Sequence, residues 1–409
     1  MNRWFLARAT VVLLATGLAL WLVIPMTYAT AVGSRDASAA ERWWPGSEAG
    51  LLARAEPAFS GGIHRSQLDH VEAGAAAALN RQPVSAAAAR VLGMVATARG
   101  QQSRARRAFA YGETLSRRDL PTQLWLIEDA VQRNDIGAAL SHYDRALRTS
   151  YRSGELLLPI LVSAASDRAI ALPLARIVAT RPPWWQAFAE RLGREGATPA
   201  IMTVGPAFNL SPDATPDRAI LEITLNRLLQ LGAYDEAYSF YRRAVPSNGA
   251  ALIRDGGFEQ TRFLGPFEWT LTQESGLAGV QTQEGARPGN VLAIEVADAR
   301  GGMVARQLLL LPPGPYRLQA VTANASGDDI GRPSFSLRCA NQQDREFARV
   351  AFPEAGPAGR RFSSTFIVPA GCRGQWLTVQ SGGRMNLSAA SRRVWLDDLT
   401  IIPARPLRR

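Results

Sequence analysis

The side chains that most often perform catalysis are scarce in this chain of 409 residues. It has 3 histidines and 2 cysteines, and all 46 of its basic residues are arginine. His64 and His70 lack the i, i+4 spacing of a helical zinc pair, and no cysteine lies near them in the sequence. Without lysine the chain can form neither a P-loop nor a Schiff base. This inventory favours a protein that binds over one that catalyses.

Aromatic residues in the C-terminal third could serve as a platform for sugar. Sugar binding needs a flat aromatic face with polar side chains around it. Leu377 and Val379 occupy one face of their predicted strand, which leaves Trp376, Thr378 and Gln380 together on the other. Trp376 is therefore the best candidate, with Gln380 beside it. The further candidates are Trp269, Tyr316 and Trp395.

The two cysteines, Cys339 and Cys372, both fall in the C-terminal third. In an oxidising compartment such a pair within one domain forms a disulfide, whereas two free buried thiols are the alternative. A disulfide closing this loop would stabilise the domain by about 3–4 kcal/mol on the chain-entropy model.

The N-terminus is predicted to carry an export signal. Residues 4–24 are apolar apart from Arg8 and a few small polar residues, and they are long enough to cross a bilayer as a helix. Arg3 and Arg8 place the N-terminus in the cytoplasm by the positive-inside rule. Residues 1–31 are either a retained transmembrane anchor or a signal peptide cleaved near the A-x-A site at 29–31. Both interpretations export the rest of the chain.

The formal net charge of +11 does not by itself indicate nucleic-acid binding. The arginines are spread through predicted helices and strands, and the absence of lysine is typical of codon bias. We expect no nucleic-acid partner, and a weak affinity for anionic lipid or acidic polymer is the better interpretation of the charge.

A linker at 32–62 precedes a helical region at 63–247. Within that region Ala105 and Ala139 are 34 residues apart (139 − 105), and an aromatic residue follows each by four positions. This pattern resembles the tetratricopeptide repeat, most clearly at 84–151 and 217–246. The resemblance implies helical hairpins stacked into an α-solenoid with a groove for a protein partner. Between these segments prolines break the helices, and residues 152–216 are interpreted as diverged repeats with irregular turns.

Short alternating runs replace the helical pattern after residue 248. They predict an antiparallel β-sandwich over 250–404, followed by a basic tail at 405–409. The predicted strands are 291–296, 304–310, 316–323, 334–339, 362–368, 375–380 and 394–402. The chain is thus a multidomain α + β protein.

The ends of this domain carry a second resemblance. It opens with DGGFE at 255–259, closes with VWLDDLTI at 394–401, and has PGPYRL at 313–318 between them. These motifs resemble the galactose-binding-like jelly roll, in particular family 4/9 carbohydrate-binding modules. The resemblance implies that the two ends lie side by side. It nominates Glu259 and Asp398, with Asp397 as an alternate, as ligands of a structural calcium; hydrogen-bonded carboxylates without metal are the alternative.

Together these features predict a non-catalytic, membrane-anchored protein with most of its chain in the bacterial periplasm. It would support exopolysaccharide or cell-surface glycan assembly or export, with the jelly roll contacting the polysaccharide. An envelope scaffold for protein–protein interaction without carbohydrate affinity is the main alternative. A glycan-active hydrolase is the weaker one, because paired catalytic acids need no local motif. No cofactor is required beyond the calcium considered above.

Overall fold

The computed structural model of the chain describes residues 47–59, 65–246, 251–260, 264–284, 288–296, 301–326, 332–341, 345–382 and 393–404, together with isolated positions between 24 and 42. The predicted anchor or signal segment and the basic tail lie outside these ranges. In the part of the chain that is described, no helix has the length and apolar character needed to cross a membrane.

Helices form the first half of the described chain, as predicted. In order they are α1 (Glu48–Phe59), α2 (Arg65–Arg81), α3 (Ala86–Ala98), α4 (Gln102–Leu115), α5 (Leu120–Gln132), α6 (Ile136–Thr149), α7 (Ser153–Ala164), α8 (Arg168–Val178), α9 (Trp185–Glu195), α10 (Thr198–Val204), α11 (Thr215–Gln230) and α12 (Tyr234–Ala244). Helix α1 lies within the predicted linker.

Helices α3–α4, α5–α6 and α11–α12 pair as hairpins, which confirms the prediction of stacked hairpins. A Cβ at Gly93 of α3 would lie 2.6 Å from Cε2 of Phe109, so the absence of a side chain there lets α3 and α4 approach closely. The turns of three hairpins, α3–α4, α5–α6 and α11–α12, each use a residue with positive φ: Gly100 (73°), Asn134 (57°) and Gly232 (70°). Such left-handed residues end helices without steric cost when they are glycine, and asparagine tolerates the conformation best among other residues.

The prolines of the middle region act differently from the prediction. Pro159 and Pro173 lie inside α7 and α8 and do not break them. Pro199 and Pro216 occupy the first turns of α10 and α11, where the missing N–H costs nothing because no helical carbonyl would accept from it. The region is therefore more regularly helical than its proline content indicates.

The chain divides into two compact units. Of the described residues, the first unit comprises those up to 157 together with 182–184, and the second comprises 158–181 and those from 185 onwards. The hairpin α11–α12 thus belongs to the same unit as the strands that follow it.

The strands form a two-sheet antiparallel sandwich, as predicted. In order they are β1 (Thr270–Leu271), β2 (Gln273–Glu274), β3 (Leu277–Thr282), β4 (Val291–Val296), β5 (Gly302–Leu309), β6 (Gly314–Ala323), β7 (Ser334–Cys339), β8 (Glu346–Ala351), β9 (Arg360–Val368), β10 (Gln375–Ser381) and β11 (Val394–Pro403). One sheet has the order β1-β5-β10-β7-β8, and the other has the order β2-β3-β4-β11-β6-β9.

The core of the sandwich lies between the sheets and takes alternate residues from both. Phe335 and Leu337 of β7 and Leu377 and Val379 of β10 are all fully buried there. This alternation is the one expected for a strand with one face on the core. It leaves the intervening residues of β7 and β10 on the opposite face of the five-stranded sheet.

Candidate functional site

The outer face of the five-stranded sheet carries Trp376 on its central strand, β10. Along β10 buried and partly exposed residues alternate, and the partly exposed ones are Trp376, Thr378 and Gln380. The shared face that the sequence predicts for these three residues is therefore present.

Neighbouring strands add charged side chains to this face. Trp376 lies opposite Arg338 on β7, and Thr378 lies between Arg306 on β5 and Ser336 on β7. Cross-strand partners point to the same side of a sheet. We call this surface the β10 face; it consists of Arg306, Arg338, Glu346, Arg349, Trp376, Thr378 and Gln380, and the buried hydroxyl of Ser336 donates to Glu346.

Arg306 stacks on the candidate platform. Its Cζ lies 4.6 Å from the centroid of the Trp376 ring, a cation–π distance. Arg306 is exposed, and no carboxylate of the described residues pairs with it. Arginine and indole thus present a joint surface in which the guanidinium lies over one side of the ring.

Glu346, the carboxylate of the β10 face, is held by several donors. Arg349 donates from Nε to Oε1 and from Nη2 to Oε2, both at 2.9 Å, and Ser336 donates to Oε2 at 2.5 Å. Arg338 Nη2 adds a 3.3 Å ion pair. The hydrogen bonds from Arg349, with Ser336 and the charge of Arg338, lower the pKa of Glu346 to about 2. The carboxylate stays ionised, and its acceptor sites are occupied within the protein.

The other tryptophan candidates are buried. Trp269 has 0% exposure, packs on Phe258 with ring centroids 5.2 Å apart, and donates from Nε1 to the carbonyl of Asp255 at 3.0 Å. Trp395 belongs to the six-stranded sheet, is 5% exposed, and packs with Val291 of the same sheet. The structure therefore places both in packing roles, where neither ring presents a face to a ligand. Tyr316 is likewise buried, stacked on Phe366.

The opening and closing segments of the sandwich lie side by side, as the jelly-roll resemblance implies. The amide of Leu399 donates to the carbonyl of Gly256 at 2.9 Å. A Cβ at Gly256 would lie 1.9 Å from the oxygen of Leu399, so only glycine fits this approach. The opening motif thus has a structural reason for its first glycine.

The three carboxylates nominated for calcium are each held by different protein donors. Glu259 accepts from the amide of Asn290 at 2.9 Å, and Asp398 accepts from Arg361 at 3.2 Å. Asp397 is buried and accepts from the amide of Asp398 at 2.6 Å. Across the described residues, no group of three or more histidine, cysteine or acidic side chains could hold a metal ion. The three carboxylates are thus engaged by protein donors, which is the alternative that the sequence analysis gives to a calcium site.

Cys339 and Cys372 form a disulfide, which confirms that prediction. Their Cα atoms lie 5.3 Å apart, within the usual range for a disulfide. The bond joins the end of β7 to the segment before β10. A disulfide of this kind is typical of a protein that folds in an oxidising compartment.

The helical hairpins of the first unit contain a polar cluster around His142. Glu113 accepts from Arg145 Nη1 at 2.5 Å and from Gln123 Nε2 at 3.1 Å, and His142 Nδ1 lies 3.1 Å from the same Glu113 oxygen. Burial lowers the pKa of His142 and thereby favours its neutral form. These contacts tie α4, α5 and α6 together. The protein partner expected on the hairpins stays a prediction.

Sequence reasoning missed the charged members of the β10 face: Arg306, Arg338, Glu346 and Arg349. Arg338 occupies a polar position in an alternating run, so its outward direction could be predicted, but its neighbour across the sheet could not. Glu346 and Arg349 belong to β8, a strand that the sequence analysis did not predict.

No protein-family model matches the chain, and no curated protein matches its sequence. Among solved structures, the enzymatically active domain of tailspike protein 4 of bacteriophage CBA120 matches at 12% identity with a TM-score of 0.29, over 38% of this chain and 21% of that one. A CBM4 structure matches at 16% identity and TM-score 0.27, over 37% of this chain and 99% of that one. TmCBM61 in complex with β-1,4-galactotriose matches at 15% identity and TM-score 0.26, over 38% and 100%. Similarities at this level carry no argument about a ligand, which has to come from the residues of this chain.

Proposed function

We propose that the C-terminal sandwich binds a polysaccharide on the β10 face. The observation that carries the proposal is the partly exposed indole of Trp376 on a sheet face that also presents Thr378, Gln380 and arginines. An indole supplies the flat apolar surface that fits the C–H side of a pyranose ring, and the polar neighbours fit its hydroxyls. Trp376 is the tryptophan of the three candidates whose ring is accessible.

We further propose that the whole chain is a non-catalytic envelope scaffold for exopolysaccharide or cell-surface glycan assembly or export. The disulfide is consistent with an oxidising compartment such as the periplasm. The apolar N-terminal segment would place the chain at the bacterial inner membrane. The helical hairpins would bind a protein partner there while the sandwich contacts the glycan.

A scaffold without carbohydrate affinity is the second candidate, favoured by one observation. Arg306 already covers one side of the Trp376 ring. If a protein partner packs against the other side of the Trp376 ring, no side of the ring is left for a sugar, and the β10 face binds a protein surface instead. The two candidates differ in whether Trp376 contributes to polysaccharide binding.

The test is affinity electrophoresis of the full-length protein, in mild detergent, through gels that contain the polysaccharide of the producing organism or reference polysaccharides. Trp376→Ala is compared with Ile367→Ala, which removes a side chain of 68% exposure from the other sheet. We expect Trp376→Ala to weaken binding at least about tenfold, as for other aromatic anchors, and Ile367→Ala to leave it unchanged. Circular dichroism confirms that both variants fold.

Two results would contradict the proposal. If every polysaccharide gel retards Trp376→Ala as strongly as the unaltered protein, the binding site lies elsewhere. Absence of retention by a folded, disulfide-bonded protein on all gels would leave the interaction scaffold as the function.

A further inference from the structure

The stacked arginine has unused hydrogen-bond donors. A guanidinium group that lies over an aromatic ring uses its face for the contact and keeps its N–H donors, which lie in its plane. Arg306 is exposed, and no carboxylate of the described residues accepts from it. Its planar fork therefore remains open to a ligand that is itself in contact with Trp376.

The charges of the β10 face are unbalanced. Arg306, Arg338 and Arg349 carry three positive charges, and Glu346 is the one carboxylate that the described strands place among them. Glu346 is bonded to Arg349, Arg338 and Ser336, so it offers little acceptor capacity to a sugar hydroxyl. A neutral glycan would have to be recognised without that carboxylate, whereas an anionic glycan meets the guanidinium of Arg306, which pairs with no carboxylate of the described residues.

The arrangement of the strands places an arginine on each side of the strand that carries the indole. Strand β10 lies between β5, which carries Arg306, and β7, which carries Arg338. Neighbouring strands are about 4.8 Å apart, so the two arginine positions are separated by about 10 Å across the sheet. The side chain of Arg338 is 39% exposed despite its contact with Glu346. A chain of sugars crossing β10 would meet a guanidinium on either side of the platform.

We propose that the ligand of the β10 face is an acidic polysaccharide, with Trp376 stacked on a sugar ring and Arg306 bound to its carboxylate. This inference rests on the proposed function and adds the class of glycan to it. Arginine suits the role because its fork binds a carboxylate through two parallel hydrogen bonds. Arg306 would thus be a specificity-determining residue, since it separates acidic from neutral polymers of the same shape.

The experiment compares two polymers that differ only in charge: polygalacturonate and the polymer obtained by reducing its carboxylates to alcohols. The full-length protein, Arg306→Gln, Arg306→Lys and Trp376→Ala are tested on both. Arg317→Gln is the matched control, because it removes the same charge from an exposed position on the other sheet. Each affinity is measured at low salt and at 0.5 M NaCl.

We expect the protein to bind polygalacturonate at least about tenfold more tightly than the reduced polymer at low salt, as the loss of a charged hydrogen-bond pair implies. Arg306→Gln should abolish this preference and Arg306→Lys should restore part of it, while Arg317→Gln should retain it. Salt should weaken binding to the acidic polymer and spare binding to the neutral one.

The outcomes distinguish a failure of the acidic preference from a failure of polysaccharide binding itself. Equal affinity for both polymers, with loss of binding in Trp376→Ala, would overturn the acidic preference and support a neutral-glycan module. Equal losses in Arg306→Gln and Arg317→Gln would also overturn it, because general charge would then explain the binding. Absence of binding to any polysaccharide by the folded protein would overturn the proposed function itself.

Discussion

The phenol of Tyr241 donates a hydrogen bond to Oε1 of Glu268 at 2.7 Å, and both side chains are buried. The other oxygen of Glu268 accepts from the amide of Leu264 at 2.6 Å. Phe267 packs on Tyr241 and on Tyr238, with ring centroids 5.2 Å apart in both pairs. Helix α12 and the segment before β1 are therefore joined by a polar contact enclosed in aromatic packing.

Tyr241→Phe is expected to destabilise this unit by about 1–3 kcal/mol, because it leaves a buried carboxylate oxygen without its donor. Burial, followed by the bond to Glu268, raises the pKa of Tyr241 far above its ordinary value of about 10. A group with a raised folded pKa contributes stability below its unfolded pKa and loses it as the pH rises. We therefore expect the native protein to lose stability above about pH 10, and Tyr241→Phe to lose less. Urea unfolding between pH 8 and 11 measures this.

The control for that experiment is Tyr151→Phe, because Tyr151 is fully exposed. The same alkaline loss of stability in all three proteins would show that the Tyr241–Glu268 bond does not cause it.

Glu346→Gln is expected to make the sandwich less sensitive to acid. The bonds from Arg349 lower the pKa of Glu346 to about 2 from its ordinary value of 4.5. A carboxylate with a lowered folded pKa contributes stability above its unfolded pKa and loses it as the pH falls towards the folded one. The unaltered protein should therefore lose stability between about pH 4.5 and 2 more steeply than the variant. Glu354→Gln, at an exposed position, serves as the control, and an identical acid profile in all three proteins would contradict the assignment.

Replacing both cysteines by serine is expected to destabilise the sandwich by about 3–4 kcal/mol, from the entropy of the loop that Cys339 and Cys372 close. The free energy of unfolding in urea gives the value. The same shift should follow reduction of the unaltered protein with dithiothreitol. A reduced protein as stable as the oxidised one would show that the bond does not constrain the unfolded chain.

Gly256→Ala is expected to destabilise the sandwich by at least about 1–3 kcal/mol, the usual cost of overpacking. The added methyl group would meet the backbone oxygen of Leu399, which cannot rotate away as a side chain could. Gly356→Ala is the matched control in the same sandwich, since a Cβ there meets no atom within 4 Å. Equal thermal midpoints in the two variants would show that the ends of the domain are not tightly joined.

Calcium and EDTA are expected to leave the thermal midpoint unchanged. Glu259, Asp397 and Asp398 each accept a hydrogen bond from a protein donor, so the fold does not leave them waiting for a metal ion. Differential scanning calorimetry in 1 mM CaCl₂ and in 1 mM EDTA tests this. A midpoint several degrees higher with calcium would support the metal site that the family resemblance nominates.

The sandwich was predictable where turn residues bound a strand. The bounds of β4 and β7 agree with their predicted runs, because Asn290 and Pro333 mark the positions before them. Strand β3 was missed because Gly279 interrupts its pattern; a Cβ at that glycine would lie 2.7 Å from the carbonyl oxygen of Val304 on β5. Strand β8 was missed because it lies at the sheet edge, where the buried positions are fewer.

The site was predictable only in part, because alternation gives the face of a residue but not its neighbours. Trp376 could be assigned to the outer face from Leu377 and Val379 alone. Its contact with Arg306 depends on the pairing of β10 with β5, two strands that are far apart in the sequence. Register between such strands is set by the folded core, so neither the arginine stack nor the charge balance could be derived beforehand.

Because α11 and α12 belong to the same unit as the strands, the protein cannot be divided at the change from helix to strand without exposing buried side chains. A recombination event at residue 248, where the sequence pattern changes from helix to strand, would separate Tyr241 from Glu268 and leave an aromatic surface exposed to water. The smallest segment expected to fold independently as the sandwich unit therefore begins upstream of the hairpin α11–α12. Fusing the strands alone to another protein would produce a domain with an exposed hydrophobic surface where α12 normally packs.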